Sequence, residues 1–397
     1  MTDVAVDAHP VLRRTSLRDS CIPGHGFGVH GFVYDANEFA RIHPGGSAWI
    51  RSVCGTDATI LFEMSHINAA RAARALSQLS TIGTYELKCD VDFEPYRRLK
   101  ERVFSQFPTR ASRRSTSLPF WVACAVCALM HCLVLSTGAS TSYGVWLIVA
   151  TMSAVSNTVI GAHGHNYLHQ LDPKALALDW NGLSCFEWLL EHVVSHHPHP
   201  NTKDDHDSLS MLPLVDWTRR RWKNLAIFPV FMLGETAVAL QGNFGHRCRW
   251  ASWRYDMPAW MNAGPFLLWL RVFTYFVFQG PFTGLATLSL CMTIASFYFS
   301  LAAHLNHTRD AQTHKEVISH QLGATCDISV PYKSLNSLLL GLDRQTAHHL
   351  FPTIDHALLD KKLYDKLWVE TSRHELVQAR PHTLLHSMLT RVVPICV

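Results

Sequence analysis

Leu118–Thr137 reads LPFWVACAVCALMHCLVLST, and after the uncharged GASTSY the chain continues as GVWLIVATMSAVSNTVIGA over Gly144–Ala162. Each run is about long enough to cross a hydrocarbon core of ~30 Å as a helix. The short connection makes the pair a helical hairpin. Arg97, Arg98, Lys100, Arg102, Arg110, Arg113 and Arg114 precede it, so by the positive-inside rule both of its ends face the cytosol. Three further apolar runs follow, at 225–240, 259–278 and 281–303. Histidine-rich stretches flank these three, and they can share one face only if an even number of the runs cross. The first is the shortest and has Arg219, Arg220, Arg221 and Lys223 before it and Arg247, Arg249 and Arg254 after it. It is expected to lie along the interface. The other two, joined at Gln279 and Gly280, form a second hairpin. Arg271 falls inside the third crossing, where a central arginine costs roughly 2.5–3.5 kcal/mol. It must therefore snorkel or find a partner.

Composition agrees with a membrane part joined to a water-exposed part. The 397 residues are 48% hydrophobic and only 17% charged, against about 25% in ordinary soluble domains, with a mean hydropathy of +0.05. A net charge of +4, from 35 Lys+Arg and 31 Asp+Glu, is too balanced to imply nucleic acid as a partner. The eleven cysteines form no disulfide framework and read as reduced thiols. MTDVAVDAHP, at the N-terminus, carries acidic residues and no apolar core. No cleaved signal is expected, and the first domain should stay cytosolic.

Ahead of the hairpin lie a loose tail (1–20), a compact mixed stretch (21–88) and a charged, partly helical linker at the membrane surface (89–117). The compact stretch contains GFVYDANEFARIHPGG, with His43 at a turn, and GTDATILFEMSHI, with His66. Two histidines presented from opposing short helices can clamp a heme iron from both faces, a closed coordination suited to electron transfer. Together these segments closely resemble the cytochrome b5 domain over roughly residues 28–87. The resemblance assigns His43 and His66 as ligands of heme b.

Histidine is the composition outlier at 25 residues, eight between His163 and His206 and seven between His304 and His356. His165 and His169 are spaced i, i+4 and project from one helix face. His192, His196 and His197 repeat the device, and His348 and His349 follow Gln345. One such pair means little, but three sets on one side of four crossings are a strong signal for metal. So many neutral nitrogen donors suit two irons better than zinc.

With the HHPHPN continuation through Asn201, the acidic Asp205 and Asp207, the Gln321–Thr325 stretch and GLDRQTAHHLFP, residues from about 90 to 360 resemble the membrane fatty acid desaturases. The fused heme domain, and Gln345 where the third histidine set elsewhere begins with His, make the chain similar to front-end desaturases. The resemblance implies a small α+β cytochrome b5-like heme domain followed by an all-α four-crossing membrane domain (118–360), whose cytosolic helical cap carries a di-iron histidine site. A C-terminal cytosolic segment (361–397) completes the chain. The implied iron ligands are His165, His169, His192, His196, His197, His348 and His349. One further nitrogen would come from His307, or from His304 one turn earlier. Gln345 would act by hydrogen bonding or weak coordination. His131, His163, His199, His314, His320, His356, His374, His382 and His386 have no ligand spacing and are left out. Asn166 stands where the family commonly has Asp, and Arg344 where Tyr is usual; neither change removes a ligand.

The activity so implied is oxygen-dependent introduction of a cis double bond between an existing one and the carboxyl end of a polyunsaturated acyl chain, of Δ5 or Δ6 type. Electrons would come from NADH through cytochrome b5 reductase and the chain's own heme domain, with an acyl lipid or acyl-CoA as substrate, at the endoplasmic reticulum membrane. A sphingolipid desaturase or acyl hydroxylase would use the same centre. A non-catalytic heme or metal-transport protein is the reading from another class, but a transporter should carry its ligands near the bilayer midplane.

Overall fold

The computed structural model describes residues 21–87, 91–109, 111–138, 140–202, 204–205, 207, 258–307, 316–329, 344–359 and 382–383, with the backbone alone over 300–305 and 382–383. The expected interfacial helix at 225–240 lies outside these residues, as do the N-terminal tail and nearly all of the C-terminal segment.

The first unit is a three-stranded antiparallel sheet, β1 (Gly26–Val29), β2 (Phe32–Asp35) and β3 (Thr81–Thr84) in that order, with four short helices between β2 and β3. Helix α1 (Ala36–Ile42) starts where the Asp35 carboxylate accepts the Asn37 N–H at 2.7 Å. It stops because Pro44 disfavours helical backbone at the residue before it, leaving His43 extended. Helices α2 (Ser47–Ser52), α3 (Thr59–Ser65) and α4 (Ala69–Leu76) follow, and His66 caps α3 as His43 caps α1.

Helix α5 (Glu94–Phe104) stands between this unit and the rest of the molecule. The linker was expected at a membrane surface. One face of α5, with Tyr96, Leu99, Lys100, Val103 and Phe104, is buried within the protein. These side chains pack with Met64 of α3 and with Val317, Ile318, Ala347, Leu350 and Phe351 from the far end of the chain. The Lys100 ammonium donates to the carbonyls of Glu63 and His66, and the Tyr96 hydroxyl donates to the Leu350 carbonyl at 2.7 Å. Burial alone would raise the Glu63 carboxyl, but His30, Arg97 and Lys100 outweigh it and bring it down to about 2.

Four helices among the described residues are long and apolar enough to cross a membrane: Leu118–Leu135 (α6), Tyr143–Leu168 (α7), Ala259–Gln279 and Pro281–Phe299. The third comprises a 3-10 turn and α10 (Gly264–Gln279), and the fourth is the body of α11 (Pro281–Leu305). Between the pairs come α8 (Leu176–Asn181), α9 (Cys185–Trp188) and a π-helix over Leu189–His196. Trp121, Val122, Leu129, Ile148, Phe273 and Phe282 are exposed, as lipid-facing side chains would be. Val134, Ala150, Ala154, Tyr275 and Cys291 close the interior. Small residues on α7 permit this close helix packing. The Gln279 amide donates to the Val134 carbonyl at 2.7 Å and to the Thr137 hydroxyl at 2.9 Å, tying the turns of the two hairpins together. The opposite helix ends, where the histidines lie, therefore share one side.

Arg271 finds a partner within the protein. It is fully buried, donates to the Trp180 carbonyl on α8 and stacks over the Tyr275 ring at 5.7 Å. Helix α8 reaches this position because α7 presents Gly164, where a Cβ would lie 2.9 Å from the Leu178 backbone nitrogen. Gly164→Val is expected to push α8 away and destabilise the protein by about 1–3 kcal/mol, read as a lowered thermal midpoint of the purified chain. An unchanged midpoint would show that the close approach carries no weight. Beyond the spans, α12 (Val317–Ala324) and α13 (Gln345–Leu350) form a cap with the π-helix.

Candidate metal centre

His43 and His66 stand with ring centroids 6.0 Å apart and ring planes nearly perpendicular. Their Nδ1–H groups donate to the Gly46 carbonyl at 3.1 Å and the Phe62 carbonyl at 2.8 Å. The Nε2 lone pair of each is thereby left for a ligand. Burial lowers both below the ordinary histidine value, which favours the neutral, ligating form. This pair would hold one metal ion between its rings, as that of a heme.

At the other site, the end of α7 delivers His165 and His169, the π-helix delivers His192, His196 and His197, α11 leads into His307, and α13 carries Gln345, His348 and His349. The i→i+5 hydrogen bond from the His197 N–H to the His192 carbonyl widens the turn. His196 and His197 consequently flank His192, with ring centroids 5.1 and 4.7 Å from it. An ordinary helix would carry His197 round to another face.

The nitrogens fall into two sets, each within 4.8 Å: His165, His169, His192, His197 and His348 in one, and His196, His307 and His349 in the other. Within the first, His165 Nε2 lies 2.8 Å from His192 Nε2 and 3.3 Å from His169 Nε2, and His197 Nε2 lies 3.1 Å from His192 Nε2. Protons are placed elsewhere. His192 Nδ1 donates to Asp207 at 3.0 Å, His196 Nδ1 to Asp205 at 3.0 Å, and His349 Nδ1 to the Gln321 carboxamide oxygen at 3.1 Å. Each bond fixes a tautomer and turns an Nε2 lone pair inward. His348 Nε2 and His349 Nε2 are buried without a hydrogen-bond partner. Converging lone pairs with no proton between them need cations, and this donor set fits two first-row metal ions. Asp207 could also join His192 and His196 around an ion, but its bond to the outward Nδ1 makes it an orienting group.

Burial, reinforced by repulsion among the imidazoles, holds His197, His348 and His349 well below the ordinary value. Burial lowers His196 too, but Asp205 and Asp207 outweigh it and leave that ring raised.

All the expected iron-site residues whose side chains are described come together. His307 joins the second set, with Gln345 Nε2 3.2 Å from its Nε2 and the Gln345 Oε1 buried without a partner. The His304 side chain is outside the described residues. His131 is buried and hydrogen-bonded to Thr274, at 3.1 Å. His356 requires a correction: it is buried, and its Nε2 lies 2.9 Å from His348 Nδ1. Spacing alone does not reveal it, because His356 repeats no ligand pattern in the sequence. Its position depends on a turn whose backbone N–H donates to the Asn166 side chain at 3.2 Å, so the residue that departs from the family pattern supports the site. His314, His374 and His386 lie outside the described residues.

Comparison with known proteins agrees with this geometry. Residues 145–368, more than half of the chain, match the fatty acid desaturase family, and residues 27–86 match the cytochrome b5-like heme/steroid binding domain. The chain belongs to the fatty acid desaturase family and carries a fused cytochrome b5 domain. Its relatives include a cytochrome b5-related protein of Drosophila melanogaster, 28% identical over 83% of this chain and 79% of that one. An acyl-lipid (7-3)-desaturase of Rebecca salina is 26% identical over 82% and 79%. A probable Delta(5) fatty acid desaturase C of Dictyostelium discoideum is 24% identical over 82% and 81%. The protein is therefore an oxidoreductase of lipid metabolism with membrane helices; its b5 domain implies heme, and its family implies iron and dioxygen.

Proposed function

We propose that this chain is a front-end desaturase of Δ5 or Δ6 type that receives its electrons through its own heme domain. The observation that carries the reading is the pairing of the two histidine sets with a bis-histidine site in one chain, joined through α5. Relatives named as Delta(5) and acyl-lipid desaturases support the regiochemistry.

The balance is one dioxygen, two electrons, two protons and one saturated –CH2–CH2– pair giving a cis double bond and two waters. Bound iron supplies the oxidising power that no side chain has for an unactivated C–H bond. His165, His169, His192, His197 and His348 would hold one ion, and His196, His307 and His349 the other, with the Gln345 carboxamide beside the second. Asp207, Asp205, Gln321 and His356 keep the rings turned inward. His43 and His66 would hold heme b, reduced by NADH through cytochrome b5 reductase. The histidine side would face the cytosol at the endoplasmic reticulum, with an acyl lipid or acyl-CoA as substrate.

Expression in a host lacking polyunsaturated lipids, supplied with candidate acyl chains, should yield a product with a new double bond on the carboxyl side of an existing one. A new bond on the methyl side, or a hydroxylated product, would overturn the front-end reading.

A further inference from the structure

His66 ends α3, and two residues earlier the same helix carries Met64, whose side chain points away from the first unit into the cluster shared by α5, α12 and α13. Gln321, on α12, is fully buried against it. Its amide nitrogen lies 3.9 Å from the Met64 sulfur and 2.8 Å from the His197 carbonyl, and its amide oxygen accepts from His349 Nδ1 at 3.1 Å. One side chain thus touches the helix that presents a heme-site histidine, the backbone of a residue in one histidine set, and a ring of the other. All three contacts are buried.

We propose that Met64 and Gln321 are the coupling element between the heme site and the histidine centre, providing a buried route for single electrons and orienting His349. The proposal rests on the reading that the fused heme domain is the electron donor. Electronic coupling falls much faster across empty space than along bonds. The route from His66 runs along the α3 backbone to Met64, crosses one contact to the Gln321 carboxamide, and crosses one hydrogen bond to the His349 ring. His43 and His66 would hold a heme that supplies single electrons drawn from an external pyridine-nucleotide-linked reductant, and two such passages along this route would furnish the two electrons that one double bond requires. Lys100 and Tyr96 form a second bridge, from the His66 carbonyl to that of Leu350, but reach the α13 backbone and no imidazole. Their part is docking.

The test uses the full chain, loaded with heme and iron in lipid discs, with Gln321→Leu, Met64→Ala and Met64→Leu. Heme absorbance and iron content are measured first, and hydrogen exchange of α3 reports docking. The rate at which prereduced heme is reoxidised in the presence of oxygen and acyl substrate is then followed by stopped flow. Met64→Ala should slow reoxidation tenfold or more at unchanged heme, iron and exchange, and Gln321→Leu should do so at unchanged heme and exchange once added iron has restored its iron content, while Met64→Leu, which refills the gap, stays within about twofold. Wild-type rates in both of the first two variants would overturn the proposal. So would slowing that only parallels lost iron or faster α3 exchange, since that is a structural role. If His66→Ala, lacking heme, still desaturates at the wild-type rate in cells, the donor reading itself fails, whatever Gln321 does.

Discussion

His348→Ala is expected to abolish double-bond formation and strip iron from the membrane unit while leaving the heme spectrum untouched. His348 is fully buried, its ring centroid is 5.0 Å from that of His165 and 4.7 Å from those of His169 and His197, and its Nε2 has no hydrogen-bond partner. Removing it deletes a donor that points only at the proposed ion and leaves His356 facing a gap. Groups that merely orient a ligand are worth about 10–100-fold in metal affinity, so losing a ligand should cost at least the upper end of that range. His66→Ala should do the reverse, removing a low-spin b-type spectrum and stopping product formation in cells while iron stays bound. Hemochrome spectra, elemental analysis and fatty-acid profiles of the same preparations separate the two. Normal iron in His348→Ala would show that this ring is no ligand.

How much of this was legible in the sequence depends on whether a feature is local. The crossings, the i, i+4 pair His165 and His169, and the turn forced at His43 by Pro44 are local, so apolar length, helical spacing and proline sterics suffice to place them. The face of α5 with Tyr96, Leu99, Val103 and Phe104 is also visible as a repeat at three and four residues. What covers it is not visible, because the partners come from α3 and from residues beyond 316. Lys100 shows the consequence: in a basic run it reads as a surface charge, yet it is buried with its amine brought down to about 8, and its bonds are to carbonyls more than thirty residues away. His356 and Gln321 were obscured for the same reason, their partners being rings delivered by tertiary packing. The π-helix is a different case. Spacing of His192, His196 and His197 read as an ordinary helix separates residues that the wider turn keeps on one side.

Asp205→Asn is expected to weaken the second ion selectively. Asp205 is fully buried and accepts from His196 Nδ1 at 3.0 Å and from the Asn201 N–H at 2.7 Å. The neutral amide keeps the volume and one acceptor oxygen but loses the charge that makes the His196 Nε2 lone pair a stronger donor. Affinity at the set of His196, His307 and His349 should therefore fall by about 10–100-fold. The set of His165, His169, His192, His197 and His348 takes its orienting carboxylate from Asp207 and should hold its ion. At limiting iron, the iron-to-heme ratio should then fall by about half with the heme spectrum unchanged, and turnover should drop at least in proportion, because the chemistry needs both ions. Added iron should restore the ratio, since His196, His307 and His349 are still present. Loss of both ions together would mean that the two sets bind as one cooperative unit, and an unchanged ratio would mean that Asp205 serves only the turn at Asn201.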